Sequence, residues 1–100
     1  MAHEGFHEER TDLSAATREM HRAIESLMEE LEAVDWYQQR VDACGDPALK
    51  AILAHNRDEE KEHAAMVLEW IRRHDAAFDH ELREYLFQDG DIVKKEHEKP

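Results

Sequence analysis

The stretch Leu27-Met28-Glu29-Glu30-Leu31-Glu32-Ala33-Val34-Asp35-Trp36-Tyr37 carries a helical stripe with one residue out of place. Followed in both directions, the stripe reads Leu13, Ala16, Met20, Ala23, Leu27, Glu30, Val34, Tyr37 and Val41. Alternating steps of three and four are the inward face of a packed helix. Glu30 is the carboxylate in that face. A second stripe follows: Leu49, Ile52 or Leu53, Asn56, Glu60, His63, Val67, Trp70 and His74. An acid and an imidazole stand three apart in its middle. Ionisable groups are costly to bury without strong partners. A metal ion is a partner that accepts both donor types.

Between the two stripes lies Asp42-Ala43-Cys44-Gly45-Asp46-Pro47, the turn cluster in the middle of the chain. Gly suits the end of a helix, and Asp-Pro an N-cap followed by the first helical residue. A hairpin folded about Gly45 sets residue n opposite roughly residue 90 − n, since both helices rise equally per residue. Glu30 then stands level with Glu60 and His63. Glu60 and His63, three apart, share one helix face. The alternative is a solvated acidic stripe, with the core of the first helix built instead from Met20, Ile24, Leu27, Leu31 and Val34.

The expected fold is all-α: an antiparallel two-helix hairpin plus a short third helix, with dimerisation completing a ferritin-like four-helix bundle. Thr11-Asp12 or Ser14 caps the first helix, with Thr17 a weaker choice, and the helix runs to about Val41. The second helix spans Pro47 to Arg73. The third, from Asp75 to about Phe87, carries Phe78, Leu82, Tyr85 and Leu86 at helical spacing. Residues 1–10, with His3 and His7, read as a flexible arm, 11–87 as the half-bundle domain and 88–100 as a charged tail without order. Two helices cannot enclose a core alone, so a second copy is needed.

The charged fraction is 38% and the net charge −12. Such acidity argues against nucleic acid and anionic membrane surfaces, and concentrates cations. No apolar run is long enough to span a bilayer, and there is no signal peptide. The single Cys44 suggests a reducing cytosol. Ferritin-like di-iron bundles use one Glu from each of two helices and a Glu-x-x-His from each of the other two. A dimer of this hairpin supplies that set.

The segments Ser26 to Tyr37 and Ile52-Leu53-Ala54-His55-Asn56-Arg57-Asp58-Glu59-Glu60-Lys61-Glu62-His63-Ala64-Ala65-Met66 resemble the encapsulated ferritins, over about residues 11–88. That resemblance implies a ferroxidase that oxidises Fe2+ with O2 at a di-iron site between subunits. It implies rings of dimers, as decamers, that pass Fe3+ to an encapsulin nanocompartment in the cytoplasm. It casts Glu30, Glu60 and His63 as di-iron ligands with Tyr37 nearby. Glu29, Glu32 and Trp36 become a metal-uptake site, and His55, Glu59 and Glu62 a weak peripheral site for other divalent cations. Family members usually end in a short apolar docking peptide for the encapsulin shell; residues 88–100 contain none. Two alternatives are a metal-binding or delivery module without turnover, and a structural helical dimer whose polar stripe sets register.

Overall fold

Capping side chains divide the chain into helices. A computed structural model describes residues 5–97; His3, expected in the N-terminal arm, lies outside them, as does the end of the charged tail. Ser14 accepts a hydrogen bond from the Thr17 amide at 3.0 Å and starts α1, Ala15–Ala43. Asp46 accepts from the Leu49 amide at 2.8 Å and starts α2, Pro47–His74, with Pro47 in its first turn. Asp75 accepts from the Phe78 amide at 2.9 Å and starts α3, Ala76–Tyr85. Each cap satisfies an amide that the helix itself leaves unpaired.

The first helix ends two residues later than the stripe suggests, because Cys44 still donates its amide to the Arg40 carbonyl at 2.9 Å. Cys44 itself is extended (φ −79°, ψ 126°), so the helix closes without a left-handed glycine. At the end of α2, His74 Nδ1 lies 2.7 Å from the Trp70 carbonyl and its ring stacks on that indole at 3.9 Å. The imidazole thus serves a terminal carbonyl, as its position predicts.

α1 and α2 form the hairpin, and Arg57 on α2 reaches across it to donate to Gln38 Oε1 at 2.8 Å. α3 packs on α2 only at the corner, which makes the chain broad and flat, 50 × 43 × 19 Å. The buried apolar residues are Val41, Ala64 and Ile71. The stripe through Met20, Ala23, Leu27, Glu30, Val34, Tyr37 and Val41 is half-buried or buried, while Ile24 and Leu31 of the alternative stripe are exposed. On α2 the reading needs correcting. Trp70, His74, Leu49 and Ile52 are exposed, and the inward line runs instead through Leu53, Glu60, Ala64, Val67 and Ile71. Trp70 and Ile71 are neighbours about 100° apart on the helix, and a small rotation of α2 selects the aliphatic one.

Two terminal segments are more ordered than their polarity suggests. Residues Arg10–Asp12 form a 3-10 turn, and the Phe6 ring packs against His21 of α1 with ring centroids 4.5 Å apart. Residues Ile92–His97 form α4, where loose chain is expected; Asp91 caps it by accepting from the Lys94 amide at 3.0 Å. A charged hexapeptide can hold one turn of helix once its first amide is capped. No described helix is long and apolar enough to cross a membrane.

Candidate metal centre

Glu30 comes from the middle of α1, and Glu60 and His63 from the middle of α2. His63 Nδ1 lies 3.5 Å from Glu60 Oε2 and 3.7 Å from Glu30 Oε2. The three donor atoms lie within 4.8 Å of one another, and no second group of three such donors occurs among the described residues. All three residues are half-buried, the side chains of Glu30 and Glu60 being only about a quarter exposed.

Glu30 Oε2 is buried and has no hydrogen-bond partner. Its distance to His63 is too long for a hydrogen bond. An unpaired buried oxygen costs about 1–3 kcal/mol, and more when charged. Such an atom marks the place of a missing partner. The fit to a metal ion can be judged from the donors alone. Two ligands bonded at about 2.1 Å and seen from the ion at a tetrahedral angle stand about 3.4 Å apart. The observed separations of 3.5 and 3.7 Å are near that value. Two carboxylates and one imidazole form a mixed hard and borderline set, suited to Fe2+, Mn2+ or Zn2+. The residues therefore fit a first-row divalent ion, with coordination positions left open.

The remaining expected residues do not close into a cluster within one chain. Glu29 and Trp36 are exposed and Glu32 half-buried; at about 100° per residue all three fall well away from the Glu30 stripe of α1. Tyr37 is half-buried, with the Arg40 guanidinium 5.3 Å over its ring. His55 and Glu59 pair at 3.5 Å across one turn, largely in solvent, while Glu62 borders a shallow groove beside Met66 and Trp70. Of the His–Glu pairs outside the expected set, the closer is on α1: His21 Nε2 stands 3.2 Å from Glu25 Oε2. Its spacing of four is readable in the sequence, but no seam position draws attention to it.

Comparison with known proteins identifies the family. The chain is 66% identical to the encapsulated ferritin-like protein of Rhodospirillum rubrum over 87 residues, which is 87% of this chain and 62% of that protein. It is 50% identical to a ferritin-like protein of Thermotoga maritima over 93 residues, 93% of this chain and 82% of the relative. It is 45% identical to the encapsulin nanocompartment cargo protein EncC of Myxococcus xanthus over 58 residues, 57% of this chain and 45% of the relative. The chain thus spans less than two thirds of the length of the first and last of these. A crystal structure of a Nitrosomonas europaea protein superposes with a TM-score of 0.87 at 68% identity, covering 90% of this chain and 99% of that one. The family model for EncFtn-like proteins matches residues 5–89. With an all-helical hairpin, a Glu/Glu/His donor group and this match over most of its length, the chain belongs to the EncFtn-like family of encapsulated ferritin-like proteins.

Proposed function

We propose that this protein is a ferroxidase that takes Fe2+ as substrate and oxidises it with O2 at a two-iron site shared by two copies of the chain. The observation that carries this reading is the convergence of Glu30, Glu60 and His63, with the buried Glu30 Oε2 lacking a partner. Iron, rather than Mn2+ or Zn2+, is supported by membership of a ferritin-like family. One chain offers three donors; two copies double them to four carboxylates and two imidazoles, the di-iron complement of ferritin-like bundles. Ile24, Met28 and Leu31 on α1 and Ile52, Met66 and Trp70 on α2 are exposed in the single chain, and a second hairpin would cover such a surface.

Each part of the site has a task in this reading. Glu30 and Glu60 neutralise the ions and hold them with hard oxygen donors. His63 presents Nδ1, the ring atom facing both carboxylates, and must be deprotonated there to bind. Bound iron supplies the electrons that reduce O2. Tyr37, on the same stripe as Glu30, lines the inner side of the bundle. Glu29, Glu32 and Trp36 form the uptake site, and His55, Glu59 and Glu62 hold a divalent cation loosely. The names of two relatives support an encapsulin shell as partner and the inside of a nanocompartment as the location. In the proposed scheme that nanocompartment lies in the cytoplasm, and rings of dimers deliver Fe3+ to its lumen.

The test is an anaerobic Fe2+ titration followed by exposure to O2. Saturable Fe2+ binding, then oxygen uptake in proportion to bound iron, is the expected result. Fe2+ that binds without consuming oxygen would make the chain a delivery module instead. A chain that neither binds Fe2+ nor changes its assembly with it would be a structural dimer.

A further inference from the structure

Among the described residues, three His–Glu pairs at a spacing of four run along the outside of the molecule, and one differs from the others. His55–Glu59 on α2 and His80–Glu84 on α3 stand 3.5 and 3.9 Å apart. Their side chains are exposed by 70% and 46%, and by 65% and 42%. Such pairs are ordinary solvated helix contacts of little energetic weight. His21–Glu25 is closer, at 3.2 Å, and its side chains are exposed by only 30% and 24%.

The shielding has a structural cause. His21 lies on the side of α1 away from the hairpin seam, where α2 cannot cover it. The N-terminal arm does so instead: the Phe6 ring packs against the imidazole at 4.5 Å, tilted by 37°, and the Arg10 guanidinium lies 5.5 Å over the Phe6 ring. The arm is itself tied down by Arg18, which donates to the Arg10 carbonyl at 3.3 Å. The nitrogen and oxygen donors are thus held together on a partly dehydrated surface, so a bound ion loses less to ordering its ligands.

Position along α1 matters as well. At about 100° per residue, His21, Glu25, Glu29, Glu32 and Trp36 fall within an arc of about 80°. His21 and Glu25 therefore begin the same face on which Glu29 and Glu32 stand, about 16 Å before Glu32 along the axis. We infer that His21 and Glu25 form an outer binding station for a divalent transition-metal ion, at the start of the acidic face of α1. The inference deepens the uptake part of the ferroxidase reading and rests on it for the identity of the natural ion. A carboxylate face alone binds Mg2+ and Ca2+ as readily as Fe2+. An imidazole at its head favours borderline first-row ions, so this pair gives the face a preference that oxygen ligands cannot.

The experiment uses Zn2+, which is redox-inert, and follows the imidazole ring nitrogens by NMR in the full chain. The background carries His63→Ala and His55→Ala, which removes the two other metal-directed histidines on the hairpin. Zn2+ is expected to shift the His21 ring signals at saturable, sub-millimolar concentration, and tenfold more Mg2+ should not displace it. Glu25→Gln should weaken the apparent affinity about tenfold while leaving the Phe6–His21 contact in place. His21 signals that ignore Zn2+, or that respond equally to Mg2+, would overturn the station. So would a Glu25→Gln chain that binds Zn2+ as tightly as its parent. Failure of the ferroxidase reading would appear separately, as an unmutated chain that consumes no oxygen with Fe2+.

Discussion

Glu30 shows how one residue can report a site. A carboxylate on an inward helical stripe needs a partner, and the protein alone offers its Oε2 none. Replacing Glu30, Glu60 or His63 by Ala is expected to lower iron oxidation by on the order of a hundredfold or more. The three losses should not add, because members of a cooperating site fail together. Oxygen-electrode rates on the single and triple variants check this, and one variant oxidising iron at the parent rate would remove that residue from the ligand set. Glu30→Gln should leave the metal-free fold at least as stable as the parent, since a charge without a partner is replaced by a neutral amide. Melting with chelator present decides that point.

At the scale of elements, the hairpin and α3 are held by different forces. Ile71 is 1% exposed at the corner where α3 leaves α2. Ile71→Ala should cost roughly 2–5 kcal/mol through lost burial and the cavity left behind, read from thermal melting at fixed protein concentration with chelator. The stance of α3 depends on charge. Arg72 donates to Glu69 at 2.7 Å and also to Asp79 of α3, while Arg83 pairs with Asp79 at 3.0 Å. Hydrogen bonds from Arg72, then Arg73, hold the Glu69 carboxyl down at about 2, and Arg72 and Arg83 lower that of Asp79. The same contacts raise the Arg72 guanidinium, with Glu69 the larger cause. Carboxyl groups depressed in the folded chain contribute stability above their unfolded values and lose it as pH falls. The clasp should therefore weaken between pH 4.5 and about 2. Amide protection in α3 should fall over that window ahead of α2, and Arg72→Gln should reduce the pH dependence to the part that Arg73 and Arg83 maintain. Uniform exchange across both helices would place the anchor of α3 elsewhere.

For the whole molecule, the expected behaviour is assembly linked to metal. The chain carries a net charge of −12, and a two-fold axis through the proposed site would set two copies of Glu30 and Glu60 against each other. Like charges so placed resist association. Divalent ions relieve that repulsion and find the doubled donor set only in the associated state, so mass action should draw chains into dimers and rings. At free Fe2+ about a hundredfold above its dissociation constant, the association constant should rise by about a hundredfold for each site filled. Native mass spectrometry at fixed protein concentration, first with chelator and then with anaerobic Fe2+, measures the shift. An oligomer distribution indifferent to iron would return weight to a purely structural dimer.

Much of this protein was legible without coordinates. Helix starts at Asp46 and Asp75 follow from capping chemistry, which is local; the same chemistry left Thr11-Asp12 and Ser14 open for α1, and the fold uses Ser14. The level pairing of Glu30 with Glu60 and His63 follows from one short turn and equal rises along two helices, and the folded hairpin brings those donors within 4.8 Å. Local rules could not say how far α2 is rotated about its own axis. Trp70 and Ile71 each head an apolar line, and only packing against α1 and the turn into α3 puts Ile71 inside and Trp70 outside. Nor could they bring Phe6 onto His21, fifteen residues away and with no periodic relation to it. Periodicity within a helix is a property of the chain's own geometry. The choice among neighbouring faces depends on what other segments cover, and that is decided when the segments meet.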